Sequence, residues 1–377
     1  MDIERLRLYL LSKRGSTEDM PFGEDCLTFR VEGKIFACLD LSRPDRVVLK
    51  SSPERTAYLT SRYAGVIGAW HWNKRHWIEV LFGSDVADAL LLRLADDAYT
   101  TVLHALPKKR QIAFLTEGLP TQVYFSHTNT CTSTNDLAWQ VGEEQCIRGH
   151  YLLGVVHSDL QRNGRGQQGT RWESENAKNL TFSLVVSPTL LPPLRQFVLL
   201  QLTASVIVKT IAQLLPDEAH LFSIKWPNDI YYRDRKLCGT LIQHAVSHGK
   251  LRLSVIGVGL NVNQTSFSRD VPNPVSLAEI RGGEVNRFTL LEQIIQEFVE
   301  QYSRLAAALT DNPLPLFEEL QTQYRARLYR SQGMYRWADK GGDFEAQIDD
   351  VLPDGTIRLL LPNGERRTYQ FKQLTYK

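Results

Sequence analysis

A glycine-rich loop between two strand-like segments constrains the middle of this 377-residue chain more than any other feature. Residues 164–169 read GRGQQG and satisfy the pattern GxGxxG, which is typical of dinucleotide-binding turns. Such a turn must open a helix whose N-terminus faces the pyrophosphate. Here the flanking segments, residues 151–157 and Leu180–Val186, are both apolar and predict strands. The sequence therefore predicts a strand, a loop and a second strand, and disfavours a dinucleotide-binding fold.

An isolated glycine pattern of this kind is more often a surface turn, but two side chains favour a ligand-binding loop. Arg165 lies between glycines that let the backbone approach a bound molecule. Its guanidinium can hold a phosphate or carboxylate through paired hydrogen bonds. Trp172 follows and can stack on a base, although a single tryptophan more often lies in a core. A loop that binds an adenylate accommodates both residues.

Two short motifs follow predicted strands further along the chain. Residues 225–229 read KWPND, where Pro227 ends the strand abruptly and fixes Lys225 beside apolar neighbours. A charge in such surroundings favours an anionic partner over the usual interpretation of a solvated surface lysine. Residues 236–239 read KLCG and begin another strand, in which Gly239 allows close backbone approach. The second motif is weak by itself.

Two further polar segments allow a structural and a functional interpretation. Residues 257–263 read GVGLNVN after an apolar strand, which indicates either a strand-ending turn or groups presented to a ring or a phosphate. Ser133, Thr134 and Asn135 precede a predicted helix at residues 136–141. A helix cap explains them, and so does a ligand that carries both donors and acceptors.

The composition is that of a globular protein of two or three domains. Hydrophobic residues make up 43% of the chain and charged residues 23%, which argues against a disordered chain. We find no apolar run that approaches the ~18 residues of a bilayer span, and no signal peptide, so we expect a cytoplasmic protein without a membrane partner. The five cysteines form no CxxC pair, which makes a disulfide scaffold or a zinc cluster an unfavourable interpretation.

The pattern of predicted strands and helices divides the chain into three domains. Residues 1–118 are predicted to form an α/β unit, and the basic segment at residues 107–111 is its expected boundary. A mixed α/β domain is predicted over residues 119–326. Short β segments separated by Asp-Gly and Asn-Gly turns predict a small β-barrel over residues 327–377. The overall fold class is therefore α/β (α+β).

Taken in order, the motifs resemble those of the biotin protein ligase family. They are Ser133-Thr134-Asn135, Gln161 with GRGQQG, Trp172, KWPND, KLCG and GVGLNVN. The resemblance covers about residue 119 to the end, and implies a class II synthetase-like mixed sheet followed by the small β-barrel. It also implies an ATP- and Mg²⁺-dependent enzyme that forms biotinyl-5′-AMP and transfers biotin to a lysine of a biotin carboxyl carrier protein.

The same resemblance implies which residues contact the ligands. It assigns catalysis to Lys225, at the reacting carboxylate and α-phosphate, and to Arg165. The implied biotin-binding residues are Ser133, Thr134, Asn135, Gln161, Gly164, Arg165 and Gly239. The implied ATP-binding residues are Gly166, Gly169, Trp172, Asn228 and Asn261, and no metal ligands are assigned. Family members frequently carry a further arginine in the loop, where this chain has Gln167 and Gln168. This departure predicts weaker electrostatic retention of the adenylate.

The first 118 residues resemble a different family, MmcQ/YjbR. The resemblance rests on residues 22–25 (FGED), 33–37 (GKIFA), 49–50 (LK) and 71–77 (HWNKRHW). That family is described as DNA-binding, so nucleic acid is a possible partner. Residues 1–118 carry 17 basic and 16 acidic side chains, a difference of +1, which does not support strong duplex binding. A packed strand entry explains the aromatic and basic residues better.

Two alternatives to a biotin ligase stay open at this point. A lipoate or octanoate protein ligase shares the fold, but is expected to lack the combination of the GRG loop with KWPND. A biotin-sensing DNA-binding regulator is expected to use an N-terminal helix-turn-helix, which the sequence does not predict.

Overall fold

The computed structural model of the protein describes residues 1–166 and 171–377. Contacts between residues divide it into two compact units, Met1–Glu117 and Gly118–Lys377. The segment expected to be a basic linker, residues 107–111, instead leads into a helix over Lys108–Gly118. Phe114 of this helix is buried in the core of the first unit, and that burial explains why the segment is helical. The division into three domains stays a prediction.

The first unit is built on a six-stranded antiparallel sheet of order β1-β2-β3-β4-β6-β5. In chain order its elements are α1 (Ile3–Leu11), β1 (Thr17–Asp19), β2 (Cys26–Val31), β3 (Lys34–Asp40), β4 (Arg46–Lys50), α2 (Pro53–Arg62), β5 (Val66–Gly68), β6 (Trp77–Leu81), α3 (Asp88–His104) and α4 (Lys108–Gly118). Side chains alternate between the faces of β4, so that Val47 and Leu49 join the main core while Val48 joins a smaller cluster with Cys38 and Trp77.

The second unit contains a seven-stranded mixed sheet of order β10-β11-β12-β13-β9-β8-β7. Its elements as far as the last helix are β7 (Val123–Cys131), α5 (Thr134–Val141), β8 (Leu153–Gln161), β9 (Leu180–Val186), α6 (Phe197–Leu214), β10 (Phe222–Lys225), β11 (Asp229–Tyr232), β12 (Arg235–Ser247), β13 (Lys250–Leu260), α7 (Leu277–Arg281), α8 (Arg287–Ala308) and α9 (Leu314–Ala326). The β7–β8 pair is parallel and the other pairs are antiparallel. The predicted mixed α/β fold is confirmed.

Helices pack on both faces of this sheet, which explains why its central strands are buried without alternation. All seven residues of β9 are buried. On one face, α5 and the π-helical segment Gly142–Arg148 pack on a cluster that includes Val156, Val185 and Leu253.

Helix α6 belongs to this core. Together with the short 3-10 turn before it, the helical stretch Pro193–Leu214 is long and apolar enough to cross a membrane by length and composition. Most of the stretch is nevertheless buried inside the protein. A buried core helix passes the same test, so the helix is weak evidence for a membrane span.

The last strands of the second unit form a five-stranded antiparallel sheet, which we call the C-terminal sheet. Its strands are β14 (Tyr335–Asp339), β15 (Gly342–Val351), β16 (Ile357–Leu360), β17 (Arg366–Tyr369) and β18 (Thr375–Tyr376), in the order β17-β16-β15-β14-β18. Trp337 is fully buried in it and donates its indole N–H to the carbonyl of Ala346 at 2.9 Å. The short strands predicted here are present, and their closure into a barrel stays a prediction.

Candidate functional site

A cavity of about 700 Å³ lies at the end of the seven-stranded sheet where β7, β8 and β13 finish and β9 and β12 begin. The residues of the predicted site that line it are Ser133, Thr134, Asn135, Gln161, Arg165, Gly166, Trp172, Asn228, Gly239 and Asn261. Neither Gly164 nor Lys225 is among the lining residues of the described chain. Gly169, Gln167 and Gln168 lie outside the described residues. The fold thus brings together segments that are far apart in the sequence.

Five side chains form a hydrogen-bonded group, which we call the polar network: Thr134, Asn135 and Gln161, which line the cavity, and Ser183 and Gln243, which bond to them. The amide oxygen of Gln161 accepts from the backbone N–H of Thr134 at 2.8 Å and from its hydroxyl at 3.1 Å. The hydroxyl of Ser183 lies 2.7 Å from both the Thr134 hydroxyl and the Asn135 amide oxygen. The Asn135 side chain also donates to Gln243 at 3.0 Å. These bonds hold several donors and acceptors rigidly beside the cavity.

The position of Ser133 bears on the capping explanation for the Ser-Thr-Asn segment. Ser133 is the N-cap residue of α5, but its side chain makes no capping hydrogen bond in the described structure. The residue is buried and lines the cavity. Helix capping by its hydroxyl therefore does not account for the serine, and its predicted contact with biotin stays a prediction.

Two glycines of the GVGLNVN segment allow polar and aromatic side chains to lie directly on the sheet. A Cβ atom at Gly257 would come within 2.3 Å of the Asn135 side chain, and one at Gly259 within 2.3 Å of the Trp172 indole. Any other residue at either position would displace a wall of the cavity. The two glycines therefore make room for the Asn135 and Trp172 side chains in the cavity wall. A strand-ending turn alone would not require glycine at both positions.

The asparagines of this segment hold backbone groups. Asn261 donates to the carbonyl of Val275 at 3.1 Å, and Asn263 exchanges two hydrogen bonds with the backbone of Val285. Asn228, of KWPND, donates to the carbonyl of Thr240. Asn228 and Asn261 also line the cavity, so their backbone bonds shape the pocket wall whether or not they contact ATP. Their predicted contact with ATP stays a prediction.

The two ends of the glycine loop are held together. The backbone N–H of Trp172 donates to the carbonyl of Gly164 at 3.0 Å, and Arg165 pairs with Arg171 as an isolated bridge. A Cβ atom at Gly164 would lie 2.7 Å from the carbonyl oxygen of Trp172, which is too close for any side chain. Gly164 is therefore explained by loop closure.

Two groups of the loop are available to a ligand. The guanidinium of Arg165 lies 3.2 Å from the carboxylate of Asp136, and both side chains are about half exposed. An exposed ion pair of this kind contributes little free energy, so the guanidinium can exchange its partner for a bound anion at small cost. The indole N–H of Trp172 is buried without a partner in the described structure. A ligand in the cavity can accept from it.

One cation at the cavity is a residue that the sequence-based reasoning did not select. Lys236, the first residue of KLCG, lines the cavity with its ammonium 2.6 Å from the carboxylate of Asp229. Gly239 lies opposite Asp229 in the β11–β12 register, and a Cβ atom there would sit 3.3 Å from the Lys236 ammonium. The sequence feature that could have identified Lys236 is its position at the start of a strand, three residues before Gly239.

The ammonium of Lys225 lies among aromatic rings instead. It donates to the hydroxyl of Tyr231 at 3.1 Å, and lies 4.7 Å from the centre of the Tyr376 ring. Burial is the main reason that the pKa of Lys225 is lowered from its usual value, and Asp229 partly offsets this effect. The apolar surroundings expected from the sequence are present. The ligand contact predicted for Lys225 stays a prediction, and Lys236 rather than Lys225 lines the cavity.

The cavity also carries acidic groups, which matter for any bound cation. Glu173, Asp229 and Asp270 line it. Among the described residues, no group of three or more His, Cys, Asp or Glu side chains is arranged to hold a metal ion.

Comparisons with known proteins agree with this description. Residues 130–261 match the model of the biotin/lipoate A/B protein ligase family, and residues 11–101 match the YjbR model. The chain is 29% identical over 197 residues to the bifunctional ligase/repressor BirA of Bacillus spizizenii, which is 49% of this chain and 56% of that protein. It is 34% identical over 92 residues to the uncharacterized protein YbdF of Escherichia coli O157:H7, which is 24% of this chain and 75% of that protein.

A solved structure shares the fold of the second unit. A biotin protein ligase from Aquifex aeolicus in complex with biotin and ATP superposes with a TM-score of 0.53 at 20% identity, covering 67% of this chain and 98% of the other. The chain spans little more than half the length of the Bacillus relative. The expected family resemblances are confirmed for both segments. The chain therefore joins a YjbR-family domain to a domain of the biotin/lipoate A/B protein ligase family.

Proposed function

We propose that this protein is an ATP- and Mg²⁺-dependent biotin protein ligase, which forms biotinyl-5′-AMP and transfers biotin to a lysine of a biotin carboxyl carrier protein. A cytoplasmic location for the reaction is part of the same proposal. The observation that carries it is the cavity, where the polar network lies near basic side chains that include Lys236 and Arg165 and near an indole N–H without a partner among the described residues. Each of these groups matches one part of biotin or ATP.

The polar network suits the cyclic urea of biotin. That ring presents one carbonyl acceptor and two N–H donors, and its recognition requires fixed donors and acceptors of both kinds. The hydroxyls and amides of Ser133, Thr134, Asn135 and Gln161 supply them. Because Ser183 and Gln243 hold Thr134 and Asn135 in place, little side-chain freedom is lost on binding.

The cations suit the first chemical step. A carboxylate oxygen of biotin attacks the α-phosphorus of ATP, the bond to the bridging oxygen breaks, and pyrophosphate leaves. Lys236 and Arg165 line the same cavity, and can stabilise the negative charge that develops on the phosphoryl oxygens. No side chain needs to transfer a proton in this step.

The second step transfers biotin to protein. The neutral amine of the carrier lysine attacks the carbonyl carbon of the mixed anhydride, AMP leaves, and the amine loses a proton to solvent. Correct placement of the anhydride is the main requirement of this step. Trp172, on the face of Gly259, is placed to stack on the adenine ring and hold the adenylate.

The cavity also fits Mg²⁺ that enters with ATP. Asp229 and Asp270 line the cavity, and Mg²⁺ commonly takes one or two carboxylates together with substrate phosphates. These two residues would hold the ion, and the bound ion would neutralise part of the negative charge on the phosphates. The lysine next to Asp229 supplies a second positive group at the same place.

The family model also covers lipoate ligases. The experiment that tests the proposed function must therefore compare biotin with lipoate and octanoate as substrates. We expect ATP–pyrophosphate exchange to depend on biotin, and to stay at background with lipoate or octanoate. A lipoate-dependent exchange that exceeds the biotin-dependent one would contradict the proposed substrate. A preparation that exchanges with none of the three acids would contradict the proposed activity.

A further inference from the structure

Two of the five cysteines lie side by side in the first unit, although they are 12 residues apart in the chain. In the β2–β3 pairing Cys38 lies opposite Thr28, and Cys26 comes two residues before Thr28 on the same strand. Because side chains alternate along a strand, both cysteines lie on the same face of the sheet. Their sulfur atoms are 2.9 Å apart. The spacing in the sequence could not reveal this pair, because the contact depends on the register of two strands.

The geometry of the pair is close to that of a disulfide. Both cysteines are free thiols in this structure. A disulfide bond measures about 2.05 Å, so the two sulfurs would have to approach by about 0.9 Å from their present 2.9 Å. Among the described residues, no third Cys, His, Asp or Glu side chain joins them in a metal site. A covalent bond between the two thiols is therefore the chemistry that the pair supports best.

The two thiols differ in their access to solvent. Cys38 is only 3% exposed and lies in a small cluster with Val48 and Trp77, whereas Cys26 is partly exposed and packs against that cluster. Burial is the main reason that the pKa of the Cys38 thiol is raised above its usual value, and the contact with Cys26 adds to this effect. The attacking species in thiol chemistry is an accessible thiolate. Cys26 is therefore the residue that a dissolved reagent meets first.

We propose that Cys26 and Cys38 form a reversible disulfide by exchange with a low-molecular-weight disulfide such as glutathione disulfide. The Cys26 thiolate attacks one sulfur of glutathione disulfide, forms a mixed disulfide and releases one glutathione. The Cys38 sulfur then attacks the Cys26 sulfur and breaks the mixed disulfide, and the Cys38 proton leaves with the second glutathione. Two protein thiols are thus oxidised while one glutathione disulfide is reduced to two molecules of glutathione.

Such a bond makes the first unit responsive to thiol redox state. In a reducing compartment the pair stays as thiols and is oxidised only when disulfides accumulate, as in redox-sensing proteins. The bond joins the start of β2 to β3 beside Trp77, whose ring lies 4.2 Å from the ring of Trp72. The inference concerns the first unit alone and does not rest on the proposed ligase function.

The test titrates the native full chain with glutathione disulfide at a fixed millimolar concentration of glutathione. Free thiols are blocked after an acid quench, and mass spectrometry of the peptides gives the state of each cysteine. Cys131 is the internal control, because it is also partly exposed and, among the described residues, its thiol interacts with Ser158 rather than with another thiol.

We expect peptides that are cross-linked through Cys26 and Cys38 within one chain and carry no glutathione. Half of the cross-link should form at a glutathione disulfide concentration at least about tenfold lower than the one that half-modifies Cys131, because the second step is intramolecular. Dithiothreitol should restore both thiols.

Two single variants separate the order of attack. Cys38→Ser should keep one glutathione on Cys26, because the thiol that releases it is missing. Cys26→Ser should leave Cys38 unmodified in the native chain, because the Cys38 side chain is buried. These variants are interpreted beside the unmodified chain, whose cross-link does not depend on how well either variant folds.

Four results would overturn the inference. One is a stable glutathione adduct on Cys26 of the unmodified chain without the cross-link. Another is a pair whose thiols stay free when glutathione disulfide is in large excess. The third is a cross-link that forms only between two chains or only after denaturation. The fourth is glutathione on Cys38 in native Cys26→Ser, which would contradict the assigned order of attack.

Discussion

A buried carboxylate in the six-stranded sheet differs from the buried hydroxyls and amides beside the cavity of the seven-stranded sheet. In the six-stranded sheet of the first unit, the buried carboxylate of Glu79 accepts from Arg46 at 2.7 Å and from the backbone N–H of Trp70 at 3.3 Å. Its charge is neutralised by side chains of the same unit. In the seven-stranded sheet, the buried polar side chains include neutral hydroxyls and amides that face a cavity. Burial of a polar group therefore does not mark a site by itself.

The two regions differ in whether their charged and hydrogen-bonding groups remain available to a ligand. A buried ion pair has its charge balanced before any ligand arrives, so changing it should affect stability. The polar network and the cations at the cavity face empty volume and are expected to act on a bound molecule. The following predictions test this difference, from the largest expected effect on activity to the smallest.

Lys236→Ala should have the largest effect. Formation of biotinyl-adenylate in a single turnover should fall by about two to three orders of magnitude, the usual cost of losing one preorganised electrostatic group. The measurement is rapid-quench detection of the adenylate at saturating biotin and ATP. Lys250→Ala, at an exposed position of β13, should form it at the unmodified rate. An unchanged rate in Lys236→Ala would assign the chemistry to another cation.

Ser183→Ala should have an intermediate effect. Its hydroxyl bonds to both Thr134 and Asn135, so its loss frees two predicted biotin contacts and should raise the KM for biotin about tenfold. The KM for ATP should change much less, and steady-state exchange assays measure both. Ser187→Ala, which lies just after the same strand and removes an exposed hydrogen bond, is the control. Equal changes in the two KM values would argue against a role specific to biotin.

Glu79→Gln should change stability without changing ligase activity. The first unit should lose about 1 to 3 kcal/mol of unfolding free energy, because Arg46 loses the charge of its buried partner. Urea unfolding followed by hydrogen exchange in β6 measures this change. Biotin-dependent exchange should be unaffected, since Glu79 belongs to the other unit. A parallel loss of activity would show that the two units act together.

Removal of the first unit should also leave ligase activity nearly unchanged. The chain from Gly118 to Lys377 forms its own compact unit and carries every residue that lines the cavity. We therefore expect its kcat/KM for biotin to stay within about twofold of the full chain, because no wall of the cavity is lost. A well-folded truncation without activity would refute this modular interpretation.

Much of the site could be predicted because its residues stand at the ends of strands. Ser133, Thr134, Asn135 and Gln161 follow β7 or end β8, and a sheet brings such positions together. Ser183 could not be recognised, because a small polar residue inside a continuous apolar strand is indistinguishable from a packed core residue. The contribution of Gln243 likewise depends on the β12–β13 register.

The two lysines show a second limit of sequence reasoning. Lys225 and Lys236 both lie beside apolar residues at strand ends, and local sequence gives no reason to prefer one at the cavity. What separates them is Tyr376, which is distant in the sequence and contacts only Lys225 of the two. Which lysine lines the cavity is therefore decided by tertiary packing.

The central claim is that this cavity attaches biotin to protein. The direct measurement is mass spectrometry of a biotin carboxyl carrier domain after incubation with the full chain, biotin and MgATP. We predict a mass gain of one biotin on a single lysine, and no gain when either ATP or biotin is omitted. An unmodified carrier in the presence of an otherwise well-folded chain, or equal labelling with lipoate, would contradict the account.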